Sequence, residues 1–139
     1  MKTPEDYIKT ITKWAKSQEK IQALALVGSY ARKQARPDSD IDFLFMCQNT
    51  DILLNDISWI NQFGKVEKSS REEWGIVTSL RVLYQDGKEL EFGIAPLSWA
   101  DLPADPGTRR VVSDGILILK DRGGFLANLH KSIPQKKAG

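Results

Sequence analysis

Asp40 and Asp42 stand one residue apart at the start of the apolar run IDFLFMC (41–47). In an extended chain alternate side chains share a face, so the two carboxylates point the same way. They repel each other unless a cation neutralises them. Paired oxygen ligands suit Mg²⁺, which keeps some waters and commonly takes substrate phosphates as its remaining ligands. A nucleoside triphosphate supplies such phosphates. Upstream, the run IQALALV (21–27) stops at Gly28-Ser29. Gly28 lets the backbone approach a ligand closely. Ser29 offers a hydroxyl and an N–H at the expected start of a helix, where the dipole favours anions. Arg32, Lys33 and Arg36 can meet phosphate oxygens. A Gly-Ser after a strand and an Asp-x-Asp in a turn are each common alone. Their combination between two apolar runs points to a site for a nucleotide and its metal ions.

A two-metal site needs a third carboxylate, and the segment KELEFGIA (88–95) offers Glu89 and Glu91 on one strand face. Glu91 lies between Leu90 and Phe92, as Asp42 lies between Ile41 and Phe43. A carboxylate in an apolar strand is costly unless paired or metal-bound, which selects Glu91. Glu89, nearer the turn, reads as a solvated or salt-bridged residue. Arg81 interrupts the apolar run SLRVLY (79–84) and is suited to pair with a carboxylate or reach a phosphate.

The elements that must position these residues follow from periodicity. Residues 4–18 place Tyr7, Ile8, Ile11, Trp14 and Ala15 at helical spacing, with Thr3 as cap and Pro4 in the first turn. Strands are expected at 21–27 and 41–47, the second central because both its faces are apolar. A short helix is expected over 29–36, ended by Pro37, and another over 51–62, capped by Thr50 and closed by Gly64. Residues 75–95 read as a hairpin around Asp86-Gly87, the strongest short hairpin signal. A helical turn at 97–102, a loop with one turn at 103–112, a strand at 115–120 and a short helix at 125–131 complete the pattern. REEWG (71–75) reads as a loop, and its Trp74 is a better candidate for base stacking than Trp14 or Trp59, without being assigned that role. Trp14 and Trp59 read as core residues, and Tyr30 as a contact between helix and sheet. His130 is given no role, and Arg109-Arg110 reads as a solvated pair.

The 139 residues, 41% hydrophobic and 27% charged, suggest one packed domain, with a flexible tail over about 131–139. The balance of 20 Lys+Arg against 18 Asp+Glu is too mild to argue for nucleic acid, which is not the expected partner. Cys47 is the one cysteine, reads as a buried strand thiol and forms no internal disulfide. No stretch is apolar enough to span a membrane, and the start MKTPEDYIKT lacks an export signal's apolar core. The expectation is a cytoplasmic protein.

Gly28-Ser29, ten residues, Asp40-Ile41-Asp42 and a later apolar-Glu-apolar strand together resemble the nucleotidyltransferase superfamily typified by DNA polymerase beta. The segments GSYARKQARPDSDIDFLF, RVLYQDGKELEFGIAPL and DGILILKDRGGFLANL are similar to the N-terminal domain of aminoglycoside 6-adenylyltransferases. The spacing also resembles that of minimal nucleotidyltransferases acting as antitoxins. The resemblance implies an α/β (α+β) nucleotidyltransferase fold, a twisted mixed sheet with helices packed mainly on one face. It implies transfer of a nucleoside monophosphate, AMP from ATP, to a hydroxyl. Asp40, Asp42 and Glu91 would be catalytic and hold two Mg²⁺ ions, with Gly28, Ser29, Arg32 and Lys33 at the phosphates. Glu91 stands where the resistance enzymes usually carry Asp, one methylene shorter. The resemblance stops short of their helical acceptor-binding domain, so the acceptor is open between a small molecule and a protein. An antitoxin-type protein with a helical partner, a homodimer, and a domain that binds nucleotide without turnover are the alternatives.

Overall fold

The computed structural model describes residues 2–136. Helix α1 (Pro4–Ser17) begins in a capping box: the Thr3 hydroxyl accepts from the Asp6 amide, and the Asp6 carboxylate accepts from the Thr3 amide. Both satisfy amides that no helical carbonyl can reach. Thr3→Ala is expected to cost about 1 kcal/mol, measured as a lower urea midpoint with an unchanged slope.

Six strands follow: β1 (Ile21–Val27), β2 (Ile41–Cys47), β3 (Val66–Trp74), β4 (Val77–Tyr84), β5 (Glu89–Pro96) and β6 (Leu117–Asp121). They form one sheet in the order β3-β4-β5-β2-β1-β6. Only β2 and β5 run parallel; the other neighbours are antiparallel. The mixed sheet and the central place of β2 are as expected. So is the hairpin, whose Asp86 accepts from the Lys88 amide and, at 2.7 Å, from the Tyr7 hydroxyl of α1.

The helices are not confined mainly to one face. On one face, α1 packs with Leu53, Trp59, Ile60 and Phe63 over Phe43, Phe45 and Phe92. Trp14 stacks on Trp59 at 5.2 Å, and the Trp59 indole donates to the Leu53 carbonyl, so both tryptophans are core residues. The other face buries Ala25, Leu44, Met46 and Ala95 under α4 (Pro106–Asp114), α5 (Phe125–Ser132) and a 3-10 turn, Leu97–Ala100. The cause lies in β1, β2 and β5 themselves, which are apolar on both sides and require cover on both.

Four segments depart from expectation. The helix after Gly28 is one turn, α2 (Gly28–Ala31), because Lys33 turns into the left-handed region at φ 57. The helix expected over 51–62 is split into α3 (Asp51–Leu54) and a 3-10 turn, Ser58–Phe63. Asn49 and Asp56 bond the amides of Asp51 and Ser58, restarting the chain locally, and no Thr50 side-chain cap forms. Trp74 ends strand β3 rather than lying in a loop. Residues 106–114 form a full helix, since Asp105 caps the Thr108 amide at 2.8 Å and Pro106 opens the first turn. Of the tail, 137–139 lie outside the described residues. Before it, Ile133 is buried and Lys136 pairs with Asp114 at 2.7 Å. Among the described residues no helix is long and apolar enough to cross a membrane.

Candidate active site

Parallel pairing of β2 with β5 sets Asp42 directly beside Glu91. Antiparallel pairing of β5 with β4 sets Glu91 beside Arg81. The three side chains therefore lie in a row on the face that α4 and α5 cover only in part. A cleft of about 840 Å³ opens there. Asp42, Glu91 and Gly28 line one end, and Thr108 and Val111 of α4 form a wall. Trp74, at the end of β3, and Ile76, in the β3–β4 turn, stand at the cleft, both exposed.

Gly28 is the junction between β1 and α2, with φ at +73°. A Cβ there would lie 2.3 Å from Asp42 Oδ2, so only glycine lets the chain pass this close to the carboxylate. No side chain caps α2, which leaves its first amides without a protein acceptor of the usual kind. One turn builds little dipole, so what α2 offers an anion is its first amides and the Ser29 hydroxyl rather than a helix field.

The electrostatics are those of crowded carboxylates. Burial, then Glu91 and Asp40, push Asp42 up to about 7 from the usual 3.8. Its Oδ1 is buried and receives no hydrogen bond from the described residues. Asp40 is also raised, by desolvation and by Glu89 beside it, although Arg81 pulls the other way. Arg81 is the shared counter-charge. It lies 3.2 Å from Asp40, 3.4 Å from Glu72, 3.5 Å from Glu89 and 3.7 Å from Glu91. Glu89 thus belongs to the cluster as a salt-bridged residue.

These residues fit a hard divalent cation. Asp42 and Glu91 are adjacent oxygen donors, and one Asp42 oxygen lacks any donor. Mg²⁺ is usually held by one or two carboxylates plus substrate phosphates. Among the described residues no three His, Cys, Asp or Glu side chains are already arranged around a metal position. Arg81, bonded to Asp40 and close to Glu91, stands between the carboxylates that would have to converge.

A family model for streptomycin adenylyltransferase matches residues 1–131. The chain belongs to that family. Its fold is similar to that of an aminoglycoside 6-adenyltransferase from Bacillus subtilis, with TM-score 0.59 and 18% identity over 72% of this chain and 37% of that one. The chain thus spans little more than a third of that enzyme's length. A nucleotidyltransferase-like protein from Exiguobacterium sibiricum 255-15 aligns at TM-score 0.47 and 16% identity over 94% of this chain and 38% of its own. No curated protein sequence matches the chain.

Within this adenylyltransferase-family domain the sequence-predicted residues do not all meet. Gly28, Arg32, Asp42 and Glu91 line the cleft. Asp40 faces Arg81. Arg32 is exposed, with its Nε 3.4 Å from Gln34 Oε1. Lys33 and Arg36 are exposed and outside the cleft lining, as are Arg109 and Arg110. Tyr30 packs on the core. Burial raises the Cys47 thiol to about 11, which makes it inert as a nucleophile. Sequence reasoning missed Glu72 as a partner of Arg81, and α4 as a wall. The Asp105-Pro106 cap signal was present for α4; β3 carried no apolar alternation.

Proposed function

We propose that the domain transfers a nucleoside monophosphate, AMP from ATP, to a hydroxyl acceptor in the cytoplasm, with Asp40, Asp42 and Glu91 as the carboxylates that hold two Mg²⁺ ions. The observation that carries this is the half-buried Asp42 carboxylate, set beside Glu91 at the end of an open cleft, with one buried oxygen that no donor among the described residues reaches. Burial without a partner is costly, and binding of a substrate-borne cation offsets that cost.

Metal ions bound there would neutralise the triphosphate and the leaving pyrophosphate. Asp42 would lie between the phosphates and the sheet, and Asp40 would turn from Arg81 to join it. Glu91 would receive the acceptor's proton, directly or through water. The acceptor oxygen forms its bond to the α-phosphorus, the bond from that phosphorus to the bridging oxygen breaks, and pyrophosphate leaves with the electron pair. Ser29 and its neighbouring amides would hold the outer phosphates, close to Asp42 because Gly28 has no side chain. The family supports the transfer class, and the acidic cluster supports the metal.

The test is incubation with Mg²⁺, labelled ATP and a panel of acceptors, namely small alcohols, aminoglycosides and lysate proteins, with pyrophosphate as a second readout. Label on a small molecule supports the transferase. Label on a single protein moves the assignment to the antitoxin-like alternative. Nucleotide binding without pyrophosphate release moves it to a binding domain. Ser29→Ala is expected to raise the KM for ATP about tenfold or more through loss of a charge-assisted hydrogen bond. An unchanged KM removes Ser29 from the phosphate site.

A further inference from the structure

We propose that Arg81 is a positioning residue that competes with divalent cations for Asp40 and Glu91, so that a metal loads only by driving the guanidinium back onto Glu72 and Glu89. The inference rests on the nucleotidyltransferase reading above.

Arg81 projects from the middle of β4, paired on one side with Ser70 and on the other with Glu91. Its fork divides between two groups of partners. Nη1 and Nη2 reach Asp40 and Glu91, two of the carboxylates the reaction needs. Nε and Nη1 reach Glu72 and Glu89, which lie to the sides on β3 and β5. A guanidinium keeps its charge at any working pH, so the competition is relieved only by movement. Movement has somewhere to go. The Arg81 side chain is one-third exposed (33%), and Glu72 and Glu89 remain as partners after Asp40 and Glu91 are surrendered. The longest contact, 3.7 Å to Glu91, is the one most readily given up. Asp42 makes no bond to Arg81, so an incoming cation finds one carboxylate free and two in exchange.

The geometry gives opposite signs to two changes. Removing Arg81 frees Asp40 and Glu91, and metal binding tightens. Removing Glu72 takes away part of the retreat, and metal binding weakens. A scaffold role for Arg81, in which it holds the carboxylates in place for the metal, gives the reverse sign for the first change.

The experiment measures Mn²⁺ binding to the full chain without nucleotide, by electron paramagnetic resonance of free Mn²⁺, with thermal melts as a check on folding. Arg81→Met is expected to bind Mn²⁺ about tenfold more tightly than the parent. Arg81→Lys, which keeps the charge but loses the fork, is expected to tighten binding about threefold. It carries the test if Arg81→Met fails to fold. Glu72→Gln is expected to weaken binding a few-fold, and that loss should shrink in the Arg81→Met background. Unchanged or weaker binding in the folded Arg81 variants overturns the competition and leaves the nucleotidyltransferase reading standing. Absence of Mn²⁺ binding in every protein overturns both.

Discussion

Asp42→Asn is expected to raise the melting temperature at pH 8 while removing metal-dependent nucleotide turnover. The folded protein holds a proton on Asp42 up to about pH 7, against 3.8 for an ordinary aspartate, first because the group is buried and then because Glu91 and Asp40 lie beside it. The folded state therefore binds this proton more tightly than the unfolded chain. Stability linked to it is fully present below about pH 4 and is lost as pH rises through about 7. One pH unit corresponds to about 1.4 kcal/mol, so the displacement bounds the cost at about 4 kcal/mol above pH 7. Water in the open cleft reduces this to about 2 kcal/mol. Asparagine never ionises and escapes the cost. In a domain of this size the gain corresponds to about 6–10 °C.

The gain must fade near pH 4, where the parent's Asp42 is protonated as well. Mn²⁺ should raise the parent's melting temperature and leave the variant's unchanged, because only the parent keeps the full oxygen set. Turnover should fall by about a thousandfold or more, as expected when a group holding the metal is neutralised. Equal melting temperatures at pH 8 would show that the fold tolerates the charged carboxylate, and a gain that persists at pH 4 would show that it does not come from ionisation of Asp42. The expected pattern is one in which a residue costs stability and supplies function.

The carboxylates of this candidate site stand out in sequence because their cost is local. A carboxylate between Ile41 and Phe43, or between Leu90 and Phe92, stands out against apolar neighbours before any fold is known. The strands carrying them were legible too, because β1, β2 and β5 are buried and apolar. What escaped was decided by pairing or by local competition. Strand β3, VEKSSREEW, is mostly exposed at the sheet edge, where polar residues protect against association. It is a strand because the two-residue loop Gly75-Ile76 returns the chain onto β4. With β3 unread, the partnership of Glu72 with Arg81 could not be seen. The break between α3 and the following 3-10 turn comes from Asp56 bonding a nearby amide, which outweighed an apolar spacing that looked helical. Sequence periodicity reports burial; it does not report which short side chain captures a backbone group.

Gly28→Ala tests the closest backbone approach in the site and should be the most damaging single-methyl change. Two costs combine. At φ +73° an L side chain pays about 1–2 kcal/mol. The added Cβ would also stand 2.3 Å from Asp42 Oδ2 and 3.3 Å from its Cγ, so the carboxylate must rotate or the β1–α2 junction must shift. Val27, the preceding residue, is paired with Asp42 across the ladder, which restrains the backbone and leaves the carboxylate to move. A displacement of about 1 Å at reacting groups can cost about a hundredfold in rate, and that is the loss expected. Gly75→Ala separates the two costs. Gly75 has φ +62° and nothing within 4 Å of its added Cβ, so it should lose stability from backbone strain alone. In an Asp42→Ala background the contact is gone, and Gly28→Ala should then cost no more stability than Gly75→Ala. If Gly28→Ala costs the same with and without the Asp42 carboxylate, the two groups do not press on each other. The close passage of the chain at Gly28 would then have no part in placing the carboxylate.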